Sequence, residues 1–191
     1  MPLSGSEKNR ELLHTRTITM NAFRREDGLM DVEGHLTDVK PFAHRLMDGT
    51  RLPGEPVHDL WLRISLDDSF KVVDVEASMD RGAHDYCPGA EPNFARLIGL
   101  QIAPGWNKKV KAAMSPGLGC THIIEMLAQM ATTAMQANWS TKLDESLEMP
   151  PPEEREMGPG MLNACFPYHE SSPWVEHHFP KAYIPLVAVE E

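Results

Sequence analysis

The sequence predicts an α+β fold, with strands in the first half of the chain and helices after them. Two observations favour this class. Segments rich in Thr, Val and Ile come first, and one of them, from His58 to Met79, alternates apolar and polar residues as a half-buried hairpin does. Apolar residues at helical spacing appear only after that hairpin.

Two strands joined by a turn come first. The segments Leu12–Met20 and Leu29–Asp38 are rich in strand-forming residues, and Asp27-Gly28 is typical of the turn between them. Side chains alternate along a strand, so the second strand has an apolar face and a polar one. The polar face carries Asp31, Glu33 and His35. From Val39 to Pro56 the periodicity stops, and several Pro and Gly residues predict a long loop.

The hairpin from His58 to Met79 has one buried face. Apolar residues occupy every second position of its first strand, and Asp67-Asp68-Ser69 provides the turn. His58 stands at the end of the buried row. We expect it to have a polar partner there, because a buried polar side chain needs one to offset its desolvation.

Three helices are predicted after the hairpin, at Pro92–Leu100, Asn107–Met114 and Gly117–Trp139. The last is the longest, and its apolar stripe of Ile, Leu, Met and Ala indicates one buried face. Polar residues recur along it at steps of three and four, so they line a second face. They are His122, Glu125, Gln129, Thr132 and Gln136.

The composition predicts a main domain at residues 1–139, an acidic Pro-rich linker at 140–160 and a C-terminal segment at 161–191. The C-terminal segment is short, so we expect it to dock on the main domain in order to become ordered. Its candidate functional residues are Cys165, Tyr168, His169, Trp174, His177, His178 and Tyr183.

Charge and hydropathy limit the partners and the compartment. Eighteen Lys and Arg against 28 Asp and Glu give a net charge of −10, which disfavours binding to nucleic acid or to an acidic membrane surface. The first ten residues lack the apolar stretch of a signal peptide, and we expect a cytoplasmic protein. Three cysteines cannot all pair, so metal binding or thiol chemistry is the better interpretation of them.

The order of elements resembles the NifU/IscU-like scaffolds of iron-sulfur assembly. The shared features are a hairpin, a cysteine in the loop after it, and Gly-x-Gly-Cys-Thr-His before a late helix. His58 with Asp59 takes the place of the family's first Cys and Gly-Asp. Cys87 and Cys120 take the places of its second and last cysteines, and His122 lies two residues further on. The resemblance implies an antiparallel sheet of about three to five strands packed against helices on one face, with a C-terminal extension here.

The chain is also similar to a family of uncharacterised bacterial proteins, the domain of unknown function numbered 2889. The similarity implies no activity. The motifs that carry it are Asp27-Gly28-Leu29, Val32-Glu33-Gly34, Leu36-Thr37-Asp38, Pro56-Val57-His58, Cys87 and Gly119-Cys120-Thr121-His122.

Two thiols and two imidazoles from different elements form a set suited to one zinc or iron ion per chain. By the scaffold resemblance the ligands would be His58, Cys87, Cys120 and His122. A thiolate at Cys120 would also be stabilised by the N–H groups at the start of the helix. The catalytic candidates are Cys120, His122, Glu33 and Asp59, and Asp31 and Asp38 are further acids that could act as a base or orient a substrate.

Structural interpretations of these residues stay open. Cys87 could be a small buried residue, His58 a core histidine bonded to backbone, and His122 a solvent-facing residue. The Cys165/His169 pair has metal-ligand spacing but lies in a tail segment, and His177-His178 are typical of a surface. The strand acids are usual on a solvated face, as are the polar residues of the last helix.

Three functions are consistent with these residues. The first is a small mononuclear zinc or iron enzyme that hydrolyses or cleaves a small organic substrate. The second is an iron-sulfur or metal carrier, which is disfavoured because His58 replaces a cysteine and the family's docking motif before the last helix is missing. The third is a metal-free enzyme with Cys120 as nucleophile and His122 or His58 as base. A homodimer is also possible.

Overall fold

A computed structural model describes residue 5 and residues 8–141, 149–158 and 160–186. The chain divides into two compact units, Met1–Thr141 and Lys142–Glu191. No helix among the described residues is long and apolar enough to cross a membrane. Part of the predicted linker, at 142–148 and 159, lies outside the described residues. Docking of the C-terminal segment on the main domain stays a prediction.

The first unit is built on a four-stranded antiparallel sheet. The described residues form six strands, which in order are β1 (Thr15–Arg24), β2 (Met30–Val39), β3 (His44–Leu46), β4 (Gly49–Arg51), β5 (Pro56–Leu66) and β6 (Val72–Arg81). The large sheet has the order β1-β2-β5-β6. The prediction of an antiparallel sheet with helices is therefore confirmed.

The first strand begins later than predicted and runs further, to Arg24, which pairs with Met30. The turn after Arg24 determines where β1 ends. Gly28 at its centre has φ 87°, a left-handed conformation that glycine adopts without steric cost. The predicted long loop was also wrong in part, because β3 and β4 form a small hairpin within it. Strands of three residues are too short to show a periodicity in the sequence.

Three helical segments follow the sheet. The first is a 3₁₀ helix, Cys87–Leu97, which begins and ends earlier than the helix predicted at Pro92–Leu100. Its prolines, Pro88 and Pro92, lack the N–H groups that regular α-helical bonding requires. Helix α1 (Trp106–Ala113) and helix α2 (Thr121–Thr141) lie close to their predicted positions.

The core lies between one face of the sheet and these helices. On β2 the buried residues alternate, and Val32 and Leu36 are fully buried. Apolar residues of α2 pack in the same core, and they include the predicted stripe Ile123, Leu127, Met130 and Ala134. The ring nitrogen Nε1 of Trp106 donates to the carbonyl oxygen of Leu127 at 3.0 Å, which joins α1 to α2 in the buried interior.

Helix α2 passes close over the middle of the sheet. A Cβ atom added to Gly34 would lie 3.1 Å from the sulfur of Met20 and 3.3 Å from that of Met130. The absence of a side chain at Gly34 thus lets methionines from β1 and α2 pack over β2.

The second unit, as far as it is described, contains short helices around one tryptophan. Helix α3 (Pro173–His178) is capped by Ser172, whose hydroxyl oxygen accepts a hydrogen bond from the backbone N–H of Val175 at 3.1 Å. The ring of Trp174 contacts Tyr168 edge-on at 4.8 Å and His178 at 4.6 Å between centroids. The aromatic residues noted in the sequence therefore have a packing role.

Candidate metal centre

A buried carboxylate lies at the centre of the candidate site. Asp38 is on the helix-facing side of β2 and is 1% exposed. The strand register places Arg16 of β1 directly opposite it on one side and His58 of β5 directly opposite on the other. Three polar residues that are far apart in the sequence therefore form one row across three strands.

Asp38 accepts four hydrogen bonds. Oδ1 is 2.8 Å from Nε of Arg16 and 2.8 Å from Nε2 of His14. Oδ2 is 2.8 Å from Nη2 of Arg16 and 2.8 Å from Nδ1 of His58. Burial by itself would raise the pKa of Asp38, but the hydrogen bonds from Arg16, His14 and His58 outweigh it and hold that pKa well below its usual range. Asp38 is therefore an anion at neutral pH.

Two imidazoles meet above this carboxylate. His58 is 13% exposed and comes from the start of β5, whereas His122 comes from the first turn of α2. Their ring centroids are 4.1 Å apart, at an interplanar angle of 41°. Burial, followed by the nearby charges of His58 and Arg16, lowers the pKa of His122. His122 is thus favoured in its neutral form, which is the form that binds a metal or accepts a proton.

One potential ligand atom from each of Asp38, His58 and His122 lies within 4.8 Å of the other two. We call these three residues the Asp38 cluster. Among the residues that the structure describes, this is the one group of three His, Cys, Asp or Glu residues whose ligand atoms lie close enough together to hold a metal ion. Carboxylate oxygen and imidazole nitrogen are ligands for zinc and for iron. The geometry thus brings together two of the four predicted metal ligands.

Cys120 borders the cluster. It directly precedes α2, and its carbonyl oxygen accepts the helical hydrogen bond from the N–H of Ile124 at 3.0 Å. Its sulfur lies 3.6 Å from Nδ1 of His122, and the residue is partly buried. The predicted position of Cys120 at the helix start is confirmed, and its thiol is in contact with one imidazole of the cluster.

Cys87 is not part of the cluster. It lies at the start of the 3₁₀ helix, and a Cβ atom on Gly82 would be 2.5 Å from its Cβ. Cys87 therefore packs tightly against the end of β6, beside the hydrophobic core. This packing matches the alternative interpretation of Cys87 as a small core residue.

Glu33 and Asp59, two of the predicted catalytic residues, lie on the other face of the sheet. Asp59 is hydrogen-bonded to Nε2 of His35 at 2.7 Å, and His35 stacks on Trp61 at a centroid distance of 3.6 Å. Glu33 lies opposite Arg63 on the same face. The sheet separates these residues from Asp38, so we leave them out of the proposed site.

The sequence reasoning did not identify Arg16 and His14, and it named Asp38 only as one of several strand acids. A signal for Asp38 was present, because it follows Leu36 by two residues and so shares the buried face of β2. An acid on a buried face requires cationic or hydrogen-bonding partners. No comparable signal marks Arg16 or His14, whose contact with Asp38 depends on strand register.

The candidates of the second unit are placed separately. Cys165 is exposed, and Nδ1 of His169 lies 2.8 Å from the hydroxyl of Ser171. His178 faces Arg155, whose Nη1 donates to its Nδ1 at 3.1 Å. Within the described part of the chain, none of them belongs to a group of three ligand-type residues close enough to hold a metal ion.

One comparison with known proteins gives a match. A family model described as "Protein of unknown function (DUF2889)" matches residues 14–136, more than half of the chain. That range contains the Asp38 cluster together with His14, Arg16 and Cys120. No curated protein and no solved structure is similar enough to match, and the expected likeness to NifU/IscU scaffolds therefore gains no support.

Proposed function

The chain belongs to this family of proteins of unknown function, whose description assigns no activity, and we therefore propose a function from the site itself. The protein is a small metalloenzyme that binds one zinc or iron ion at the Asp38 cluster. It uses the ion to hydrolyse or cleave a small organic substrate. The observation that supports this most is the meeting of two histidine rings, His58 from β5 and His122 from α2, with centroids 4.1 Å apart beside the buried carboxylate of Asp38 on β2.

His58 and His122 are the first two ligands in this proposal. Cys120 is the third: its sulfur contacts His122 but lies outside the group of atoms within 4.8 Å of one another, so binding would draw it toward the ion. In a tetrahedral zinc site, Zn–S of about 2.3 Å and Zn–N of about 2.05 Å place adjacent sulfur and nitrogen ligands about 3.6 Å apart. The sulfur of Cys120 lies 3.6 Å from Nδ1 of His122. This separation supports the two residues as neighbouring ligands of one ion.

A third protein ligand would leave the fourth position of a tetrahedral ion open. Catalytic zinc sites commonly have three protein ligands and a water molecule. When bound there, such an ion would supply Lewis-acid chemistry: it would make a water molecule a better nucleophile near neutral pH and polarise a substrate oxygen. The lowered pKa of His122 favours metal binding, because the neutral ring does not have to lose a proton first.

Metal analysis of purified variants tests the proposal. We expect about one zinc or iron ion per chain in the wild type, and loss of that metal in His58→Ala and His122→Ala, since each substitution removes a ligand. Cys120→Ala should bind metal more weakly. Cys87→Ala is the matched control, because it removes a thiol outside the cluster and should retain the metal.

Full metal content in both histidine variants would contradict the proposal, as would a wild type that binds neither metal after incubation with Zn²⁺ or Fe²⁺. Loss of metal from Cys87→Ala as well as from the histidine and Cys120 variants would instead support the ligand set that the scaffold resemblance implies. Circular dichroism of each variant shows whether the fold is retained.

The contact between Cys120 and His122 supports a second candidate, a metal-free thiol enzyme. A neutral His122 could take the proton of the Cys120 thiol across the 3.6 Å contact, and the helix N-terminus would stabilise the thiolate. This candidate predicts rapid alkylation of Cys120 by iodoacetamide in the presence of a chelator, and slower alkylation in His122→Ala. A protein whose thiol is protected by Zn²⁺ and reacts slowly without it would exclude the candidate.

The iron-sulfur carrier depends on the scaffold resemblance alone. Cys87 and Cys165 are not part of the Asp38 cluster, and Cys120 is the one cysteine whose thiol lies beside it. Cluster carriers hold iron mainly through cysteine thiolates. A purified protein without the visible absorption of an iron-sulfur cluster is the result that we expect.

A further inference from the structure

We infer that Asp38 is the positioning residue of this centre: its carboxylate holds His58 in the tautomer with the proton on Nδ1, and so makes Nε2 the nitrogen that binds the metal. The metal-binding part of this inference rests on the proposed function. The tautomer itself is a property of the metal-free protein and can be measured without any ion.

The hydrogen bonds of Asp38 indicate that it orients a metal ligand and does not bind the ion itself. An ionised carboxylate offers about four acceptor positions. Arg16 donates to both oxygens through Nε and Nη2, His14 contacts Oδ1, and His58 contacts Oδ2. These four contacts occupy all the acceptor positions. A metal ion could bind Asp38 directly only by displacing one of these donors.

The same contact determines the proton position on His58. A carboxylate anion only accepts hydrogen bonds, so Nδ1 of His58, 2.8 Å from Oδ2, must carry the proton. In the neutral ring Nε2 then has the lone pair. Histidines that bind metals through one nitrogen commonly donate the other N–H to a carboxylate, which fixes the ring and increases its basicity.

The strand register explains why this arrangement is rigid. Asp38 lies in a row between Arg16 and His58, on neighbouring strands of an antiparallel sheet, and the carboxylate is 1% exposed. The guanidinium of Arg16 donates one hydrogen bond to each oxygen of Asp38, and this two-point contact opposes rotation of the carboxylate. Nη1 of Arg16 is also 3.7 Å from Oε2 of the exposed Glu125 in α2, so the guanidinium has a second carboxylate partner.

Nitrogen-15 NMR of the full chain, labelled at histidine and measured first without metal and then with Zn²⁺, tests the inference. At a pH at which the spectrum shows the His58 ring to be neutral, we expect its proton on Nδ1 and none on Nε2. The Nδ1–H signal should persist after Zn²⁺ is added, while the Nε2 resonance shifts. A ligand role for Asp38 would instead require this hydrogen bond to break, and the Nδ1–H signal would disappear.

The Asp38→Asn variant extends the test to affinity. It keeps the side-chain shape but removes the charge that selects the tautomer, and we expect Zn²⁺ to bind about 10- to 100-fold more weakly. Asp59→Asn is the matched control, because Asp59 makes the same kind of bond to a histidine, His35, on the other face of the sheet. Its Zn²⁺ affinity should equal that of the wild type.

Three results would overturn the inference. They are a neutral wild-type His58 protonated on Nε2, loss of the Nδ1–H signal on Zn²⁺ binding, and an Asp38→Asn affinity equal to that of the wild type. The wild-type spectra need no variant, so the inference stays falsifiable if Asp38→Asn does not fold. A wild type with the expected tautomer but no Zn²⁺ binding would show that the proposed function had failed while the carboxylate still fixes the ring.

Discussion

At the scale of single residues, Asp38 is the least expected feature of the protein. It is a charged group with 1% exposure, on a strand whose neighbouring positions on the same face are apolar. The surrounding donors compensate its desolvation, and each comes from a different position: His14 before β1, Arg16 within it, and His58 in β5. The carboxylate therefore stabilises the fold only while it is ionised.

Acid should remove this stabilisation. The folded pKa of Asp38 lies below its ordinary value of 3.8, so the unfolded chain takes up the proton first. The contribution is therefore complete above about pH 4 and is lost as the pH falls through the folded pKa. The groups that face Asp38 are His14, Arg16 and His58, with His122 close by.

Denaturant unfolding of the wild type and of Asp38→Asn as a function of pH measures this effect. At pH 7 the variant should be less stable by on the order of 3 kcal/mol, because it leaves donors without their charged acceptor. The difference should shrink below pH 4. A difference that is constant from pH 7 to pH 2 would show that the ionisation of Asp38 does not stabilise the fold.

At the scale of elements, the 3₁₀ helix Cys87–Leu97 packs closely against the end of β6. Gly82 follows this strand, and Cys87 opens the helix beside it. A Cβ on Gly82 would lie 2.5 Å from Cβ and 2.8 Å from the sulfur of Cys87, and 3.2 Å from the backbone oxygen of His84. A side chain at Gly82 would therefore push the helix away from the strand.

Gly82→Ala tests this packing. We expect a loss of about 1–3 kcal/mol in the free energy of unfolding, because Cβ of Cys87 belongs to the rigid start of a side chain and cannot swing aside. Gly89→Ala, in the same 3₁₀ helix, is the control: a Cβ there meets nothing within 4 Å. Thermal unfolding compares the two. Equal melting temperatures would show that Cys87 does not pack against Gly82, whereas zinc content should be normal in both.

At the scale of the whole molecule, the antiparallel topology assembles the site. The order β1-β2-β5-β6 places two strands that are not consecutive in the chain, β2 and β5, side by side, which brings Asp38 next to His58. Helix α2 then packs over the same end of the sheet and adds His122 and Cys120. Residues from position 14 to position 122 thus meet in one place, all within the first unit.

Much of the fold and part of the candidate site could be predicted from the sequence. The features that could not be predicted depend on strand register and on close packing. The strand pattern of β2, β5 and β6 and the stripe of α2 were visible because each element buries one face. His58 and His122 were predicted to be metal ligands, and their rings lie side by side in the structure. Arg16 and His14 were missed, because cross-strand neighbours follow from register, which a single strand does not encode. Cys87 was grouped with the ligands by analogy with a scaffold, and its packing on Gly82 has no sequence signature.

The most direct measurement is anomalous diffraction at the zinc absorption edge, from crystals of the full chain grown with Zn²⁺. We predict one strong peak per chain, about 2.0–2.3 Å from Nε2 of His58, a ring nitrogen of His122 and the sulfur of Cys120, with Asp38 hydrogen-bonded to His58 behind it. A map with no peak between these residues, or with its strongest peak at Cys87 or Cys165, would contradict the proposed metal centre.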